Sequence, residues 1–319
     1  MRDNELTSWL ACLGRLSAEQ RLQLRQRLDT VAAEDGVEAA LLRRRSRHPE
    51  CPHCQGLHVV RNGHADGRQR YKCRDCGRSF NTLTGTPLAR LRRRERWMEQ
   101  TEVLASGLSV RKSAERLQVH RTTAFRWRHR FLSLPKSVKA SGLQGVAEAD
   151  ETYQLRSFKG QPQLLAEQSR QARRHGGRAA KRGLSDEQVP VLVLRDRSGA
   201  TTDFVLPDGS KAAVKQVLPL ALATDTVLCT DGSGTLAAAA RELGLEHQAV
   251  NISKGERRRG AWHIQNVNAY HSRFKTWMRR FNGVATSYLE SYLGWFRALD
   301  RNAQSSAKPA SLLDLALGV

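Results

Sequence analysis

Residues 143–153 read Leu143-Gln-Gly-Val-Ala-Glu-Ala-Asp150-Glu-Thr-Tyr153, an apolar run that ends in acids. A second run with the same ending is Thr226-Val-Leu-Cys-Thr-Asp231-Gly232, its aspartate 81 residues after Asp150. Both read as β-strands. If the two strands are neighbours in one sheet, their ends bring Asp150 and Asp231 within reach of one or two magnesium ions. Hard oxygen ligands suit such ions and leave positions for water and phosphate. Spacing alone leaves another reading open, because Asp-Gly after a strand is also a common turn.

Outward from this pair, Val189–Leu194, Thr202–Leu206 and a short stretch near 247–252 read as further strands, while 211–223 and 234–243 read as helices. Strands with helices interleaved predict an α/β domain over 143–300, a mixed sheet with covered faces. The polar, basic stretch 156–188 carries Gly176-Gly177 and no apolar period, and reads as an insertion. A long helical region follows at 264–299. Residues 257–289 contain no Asp or Glu, so a third carboxylate is missing where a helix would present one. That region offers Asn268, His271 and Lys275, three and four residues apart and therefore on one helical face. Glu151 and Glu290 are the fallback acids.

The first half has a different texture. Residues 4–32 place leucines at helical spacing and predict one or two amphipathic helices suited to packing or self-association. Together with the stretch up to 48 they form an N-terminal helical region; Arg43, Arg44, Arg45 and Arg47 read as a linker or an arm that touches a nucleic-acid backbone. Cys51-Pro-His-Cys54 and Cys73-Arg-Asp-Cys76 are separated by 18 residues, the spacing of a four-thiolate zinc ribbon over 49–84. His53, His58 and His64 lie nearby as surface or DNA-facing residues, since four cysteines already fill such a site. Residues 95–135 carry a helix-turn-helix pattern: helices over 97–106, 109–117 and 121–131, with Ala114, Leu117, Val119, Ala124 and Trp127 as core. The third helix offers Arg121, Thr122, Arg126 and Arg130 to bases and phosphates. Gln118 stands in the turn where glycine is often found.

Charge supports this division. The 319 residues hold 53 Lys and Arg against 31 Asp and Glu, a net +22. Residues 51–150 carry +12, and 154–182 and 254–280 carry +7 each, whereas 201–250, which includes Asp231, is acidic. Separate basic windows around an acidic centre suit a protein that grips a nucleic-acid backbone and works on it. No apolar run is long enough to span a membrane, and the first 30 residues lack the order of a signal peptide. Six cysteines, four of them in CxxC pairs, argue for a reducing, cytoplasmic compartment.

Asp-Glu-Thr-Tyr, then Thr-Asp-Gly, then Asn-x-x-His with basic residues downstream, preceded by a zinc ribbon and a helix-turn-helix, resembles a bacterial insertion-sequence DDE-type transposase of the insertion-sequence 1595 family. Phe281-Asn-Gly-Val-Ala-Thr286 and Tyr292-Leu-Gly-Trp295 extend the likeness over about residues 51–300. The resemblance implies a ribonuclease-H-like catalytic domain, with 301–319 as a tail. It also implies strand cleavage and strand transfer at terminal inverted repeats, a structural zinc, and catalytic magnesium or manganese. Asp150 and Asp231 would be the aspartate ligands, with His271 where the wider superfamily has glutamate, a departure compatible with manganese or with an inactive copy. Asn268, Glu151 and Lys275 would be accessory. Lys275, Arg279 and the cluster with Arg257, Arg258 and Arg259 would hold flanking phosphates. Synapsis of two double-stranded ends and a target implies a homo-oligomer. Two readings compete: a non-enzymatic zinc-ribbon and helix-turn-helix regulator, and a structure-selective nuclease on the same fold.

Overall fold

The structure, a computed structural model, describes residues 3–167, 179, 185–251, 255–305 and 308–319. The basic stretch 156–188 therefore falls partly outside the described residues, as does Lys254. The chain divides into two compact units. One holds residues 1–106, 113–131 and 309–319; the other holds 107–112 and 132–308. No described helix is long and apolar enough to cross a membrane.

The first unit opens with α1 (Asp3–Cys12) and the 30-residue α2 (Ala18–Arg47). Ser17 starts α2 with a reciprocal cap: its Oγ accepts the Gln20 amide at 3.1 Å, and Gln20 Oε1 accepts the Ser17 amide at 2.9 Å. Two otherwise orphaned amides are satisfied there. Leu6, Trp9, Leu10, Leu22 and Leu28 are exposed, and α2 buries apolar side chains only further along, at Val37, Ala40 and Leu41. The arginines at 43–47 are not a linker or a free arm. They close α2, and the guanidiniums of Arg43, Arg44 and Arg45 are engaged within the unit. Arg43 pairs with Asp314 at 2.8 Å, Arg44 donates to the carbonyls of Thr82 and Leu317, and Arg45 lies 4.3 Å above the Tyr71 ring. The C-terminal residues form a helix, Lys308–Leu317, that buries Leu312, Leu313, Ala316 and Leu317.

Three antiparallel strands follow, β1 (Val59–Ala65), β2 (Arg68–Cys73) and β3 (Ser79–Asn81). Asp66 and Gly67 join β1 to β2 with φ of 51° and 70°, the two left-handed residues of a tight hairpin turn. Then α3 (Trp97–Ala105), α4 (Val110–Arg116) and α5 (Arg121–Phe131) match the three expected helices to within two residues. Trp97 and Phe131 meet edge to face at 5.9 Å, and Leu117, Ala124 and Trp127 are buried with them. Gln118 adopts φ 48°, the left-handed conformation that glycine would take in this turn.

The second unit is a five-stranded sheet in the order β6-β5-β4-β7-β8. Its strands are β4 (Val146–Leu155), β5 (Gln188–Asp196), β6 (Thr201–Val205), β7 (Val227–Thr230) and β8 (His247–Ala249). β4, β5 and β6 are antiparallel; β7 and β8 run parallel to β4. Ala147, Ala149, Leu192, Leu194 and Leu228 form one core with helices α7 (Lys211–Ala221) and α8 (Gly234–Glu242), after the short α6 (Pro162–Glu167). The alternate residues of β4 face the other side, toward α9 (Gln265–Arg279). Asn282 and Gly283, with φ of 51° and 93°, end α9 and split the expected long helix from α10 (Leu289–Arg301).

Candidate active site and metal centre

Asp150 does not terminate its strand. β4 runs on to Leu155 against β5, and it is the pairing with β7 that stops, at Glu148 and Cys229. The three parallel pairs, Val146 with Val227, Ala147 with Leu228 and Glu148 with Cys229, share one offset of 81 residues. Continuing that offset by two residues sets Asp150 level with Asp231. Both acids therefore lie just past the point where two adjacent parallel strands part, the end of a sheet where α/β folds commonly bind ligands.

Their surroundings are unusual for so basic a chain. Elsewhere in this unit three acids hold arginines: Asp203 binds Arg297, Asp300 binds Arg195 and Arg273, and Glu148 binds Arg197. Among the described residues, Asp150, Glu151 and Asp231 have no Lys or Arg partner. One oxygen of each aspartate is held by backbone: Asp150 Oδ1 accepts the Glu151 amide and Asp231 Oδ1 accepts the Ser233 amide, both at 2.9 Å. Burial, and then the charges of Asp150 and Asp231, push the Glu151 carboxyl up to about 7. Tyr153 is raised to about 12, by burial and then by the same three acids. A set of hard oxygen donors with uncompensated negative charge fits a divalent cation. The side chains do not yet form a closed cage. Among the described residues only the four cysteines form a set of three or more potential ligands that all lie within 4.8 Å of one another.

His271 projects from α9 onto the same face. It is buried, with Nδ1 3.4 Å from Asp150 Oδ2, and its Nε2 is buried without a hydrogen-bond partner. Asn268 and Lys275, one turn to either side, are exposed. Glu290 is exposed on α10, with the Lys139 ammonium as a charged neighbour, and is not part of the acid group.

Glu148 was missed in the sequence, although its place two residues before Asp150 puts it on the same strand face. It is fully buried. Its carboxylate accepts from Asn266 Nδ2 and from the Val267 amide, each at 2.9 Å, and pairs with Arg197 at 2.6 Å and His263 at 3.3 Å. Ile264 precedes α9 and has no side-chain group to cap it. Glu148 supplies that cap from the sheet, satisfying a free first-turn amide and placing negative charge at the positive end of the helix. The helix carrying His271 is thus tied to the strand carrying Asp150.

In the ribbon, Cys51 Sγ lies 3.8 Å from Cys76 Sγ, and Cys54 Sγ lies 3.6 Å from Cys73 Sγ. Tetrahedral zinc with Zn–S bonds near 2.3 Å requires sulfurs about 3.8 Å apart. The four residues can hold one such ion. The two knuckles have the same construction: the Gln55 amide returns to the Cys51 carbonyl and the Gly77 amide to the Cys73 carbonyl, with both Gln55 and Gly77 left-handed. Burial raises the Cys51 thiol, but amides of His53 and Cys54 and the neighbouring thiols outweigh it and bring it down to about 7. Among the three nearby histidines, His58 pairs with Asp75 at 2.7 Å, and none joins the sulfur set.

On α5, Arg121, Thr122 and Arg126 are exposed. Arg130 is turned inward, with its guanidinium on the carbonyls of Pro87 and Ala89. Arg257, Arg258, Arg259 and Arg279 are exposed; Arg258 donates to the Gly260 carbonyl and Arg259 to Gln248 Oε1.

The chain thus joins a helix-turn-helix and a four-cysteine hairpin to a sheet that sets two aspartates level. Comparison with known proteins gives the class. Residues 142–297 match the family of ISXO2-like transposase domains, and residues 88–147 match homeodomain-like domains. A Halobacterium salinarum protein, described as an uncharacterized protein in transposable element ISH50, is 28% identical over 254 residues, covering 77% of this chain and 83% of that one. Residues 142–297, just under half of the chain, are thus similar to the transposase domains of the insertion-sequence 1595 family.

Proposed function

We propose that this chain is the DNA transposase of an insertion sequence, and that it cuts and joins strands with Asp150, Asp231 and His271. The observation that carries the reading is the common 81-residue offset of β4 and β7, which brings two acids level with no Lys or Arg partner among the described residues. The strand order, three antiparallel strands followed by two parallel ones, supports a ribonuclease-H-like sheet.

Asp150 and Asp231 would hold a magnesium or manganese ion, which supplies positive charge for in-line displacement at phosphorus. His271 orients the free side of Asp150 and brings its own nitrogen to the set, while Asn268 offers an amide oxygen. Glu151, poised near neutrality, can accept a proton beside the two aspartates. In the first step water replaces one phosphodiester oxygen at the element's end and leaves a 3′-hydroxyl. In the second that hydroxyl replaces an oxygen in the target strand. Each step exchanges one P–O bond for another.

Arg121, Thr122 and Arg126 on α5 would read the terminal inverted repeats, and the ribbon, closed by structural zinc, would stabilise that unit on the duplex. Lys275, Arg279 and Arg257–Arg259 would bind flanking phosphates. Two ends must be held together, and the exposed Leu6, Trp9, Leu10, Leu22 and Leu28 support assembly of copies through the N-terminal helices. Purified protein incubated with element-end DNA, a target plasmid and magnesium or manganese tests the reading: joined end–target products support it, and binding without cleavage or joining favours a regulator.

A further inference from the structure

A cavity of about 650 Å³ lies in the N-terminal unit, among α2, the β1–β2 turn and the chain that leads into α3. Arg68, Arg90, Arg92, Arg93 and Arg94 line it. Arg94 is engaged, reaching Glu38 Oε1 and the Asp66 carbonyl at 3.4 Å each. Among the described residues the other four guanidiniums make no hydrogen bond or ion pair, and Arg68 Nε is buried without a partner. Burial, and then the neighbouring Arg94, hold the Arg68 pKa below its ordinary value, with the Asp66 and Glu38 carboxylates acting against the shift.

The backbone here is held in an unfavourable form. Arg90 and Arg93 are both left-handed, with φ of 61° and 57°, a conformation that L-residues with long side chains avoid. The segment is fastened at both ends. Arg130 grips the Pro87 and Ala89 carbonyls before it, and Arg96 reaches Gln118 Oε1 at 3.3 Å after it. Gln118 is the turn residue of the helix-turn-helix, and Asp66 is in the hairpin turn of the ribbon. The arginines therefore stand where the two DNA-reading modules meet.

We propose that this pocket is a second grip on DNA, which takes a backbone phosphodiester on Arg68, with Arg90, Arg92 and Arg93 holding adjacent phosphates at the rim. Guanidinium forks match phosphate oxygens in pairs. Five arginines face four carboxylates in the lining, an excess of one positive charge. That balance suits the single charge of a diester better than the near-double charge of a terminal phosphate. The inference rests on the DNA-binding reading above and adds a site outside α5.

The test is fluorescence anisotropy of the full-length, zinc-loaded protein on a labelled duplex of arbitrary sequence, across a series of salt concentrations. The Arg90→Ala, Arg92→Ala, Arg93→Ala triple variant is expected to bind about tenfold or more weakly near physiological salt. Its slope of log K against log salt should be shallower by about two to three, near 0.9 for each lost phosphate contact. The corresponding triple Lys variant should recover most of the slope. Arg92→Ala alone, at a position with ordinary φ, carries the test if the triple variant does not fold, with an expected slope change of about one. Affinity and slope unchanged in these variants, while Arg121→Ala with Arg126→Ala weakens binding, overturn this pocket and leave the helix-turn-helix reading standing. Failure of the wild-type protein to bind duplex overturns both. Tight binding of ATP or inorganic phosphate that is lost in the triple variant overturns the diester assignment.

Discussion

His271 Nδ1 stands 3.4 Å from Asp150 Oδ2, joining a helix to a strand that are 121 residues apart in sequence. The imidazole is buried and meets the carboxylate oxygen that the backbone leaves free, since the other accepts the Glu151 amide. A nitrogen donor here supplies no negative charge and is softer than a carboxylate. His271→Glu is therefore expected to raise cleavage in magnesium relative to manganese by about tenfold. An unchanged ratio of the two activities would remove His271 from the metal set.

Glu148 should be a positioning residue with a large structural effect. Glu148→Gln keeps the shape but removes the charge that offsets Arg197 and caps α9. Losing one partner of a buried pair predicts destabilisation of about 2–4 kcal/mol. Thermal unfolding measures it, and hydrogen exchange should show the first turn of α9 opening before the sheet.

Gly294 on α10 allows a backbone contact that no side chain could share. A Cβ there would lie 2.6 Å from Lys136 Cα and 2.7 Å from the Pro135 carbonyl oxygen. Arg297, one turn on, fixes the same segment through the carbonyls of Pro135, Lys136 and Val138 and through Asp203. Gly294→Ala is expected to cost about 2–3 kcal/mol, because the atoms that must yield are main chain. A melting temperature equal to wild type would contradict the close approach.

Metal content follows from the sulfur geometry. The protein should carry one equivalent of zinc, and Cys73→Ser or a strong chelator should remove it and unfold the ribbon. Structural zinc contributes on the order of 10 kcal/mol to such small units. Elemental analysis with near-ultraviolet dichroism, which reads the stacked Tyr71 and Phe80 rings 5.6 Å apart, reports both changes.

His129 predicts an acid limb of stability. Burial, and then the Arg128 charge, lower its pKa from 6.5 to about 4. The unfolded chain takes up a proton in that interval and the folded chain does not. The contribution is therefore complete above pH 6.5 and is lost as pH falls to about 4. Solvent access reduces the effect to on the order of 1 kcal/mol. His129→Phe should lose less stability than wild type between those limits, with zinc occupancy the same in both.

The parts legible in the sequence are those whose signal is local. Two CxxC pairs fix a ribbon whatever surrounds them, and the apolar spacing of Trp97 to Phe131 fixes three helices. Asp150 and Asp231 were visible as acids beside apolar runs, but their alignment depends on a register that only strand pairing sets. Long-range contacts carried the rest. Arg43 and Arg44 looked like an arm because their partners, Asp314 and the Leu317 carbonyl, lie some 270 residues away. Glu148 caps a helix 118 and 119 residues further along, a service that helix sequence alone would assign to the residue before it. Arg130 faces inward because carbonyls of the chain before α3 come within its reach, which helical periodicity does not encode.

The most direct test of the central claim is strand transfer by Asp150→Asn and Asp231→Asn proteins on element-end DNA, beside a binding assay on the same duplex. Both variants should bind as wild type does and lose joined product by at least about a thousandfold, because each would remove a charged oxygen ligand from the proposed metal site. Joining retained by either variant would contradict the assignment of the level pair Asp150 and Asp231 as the catalytic carboxylates.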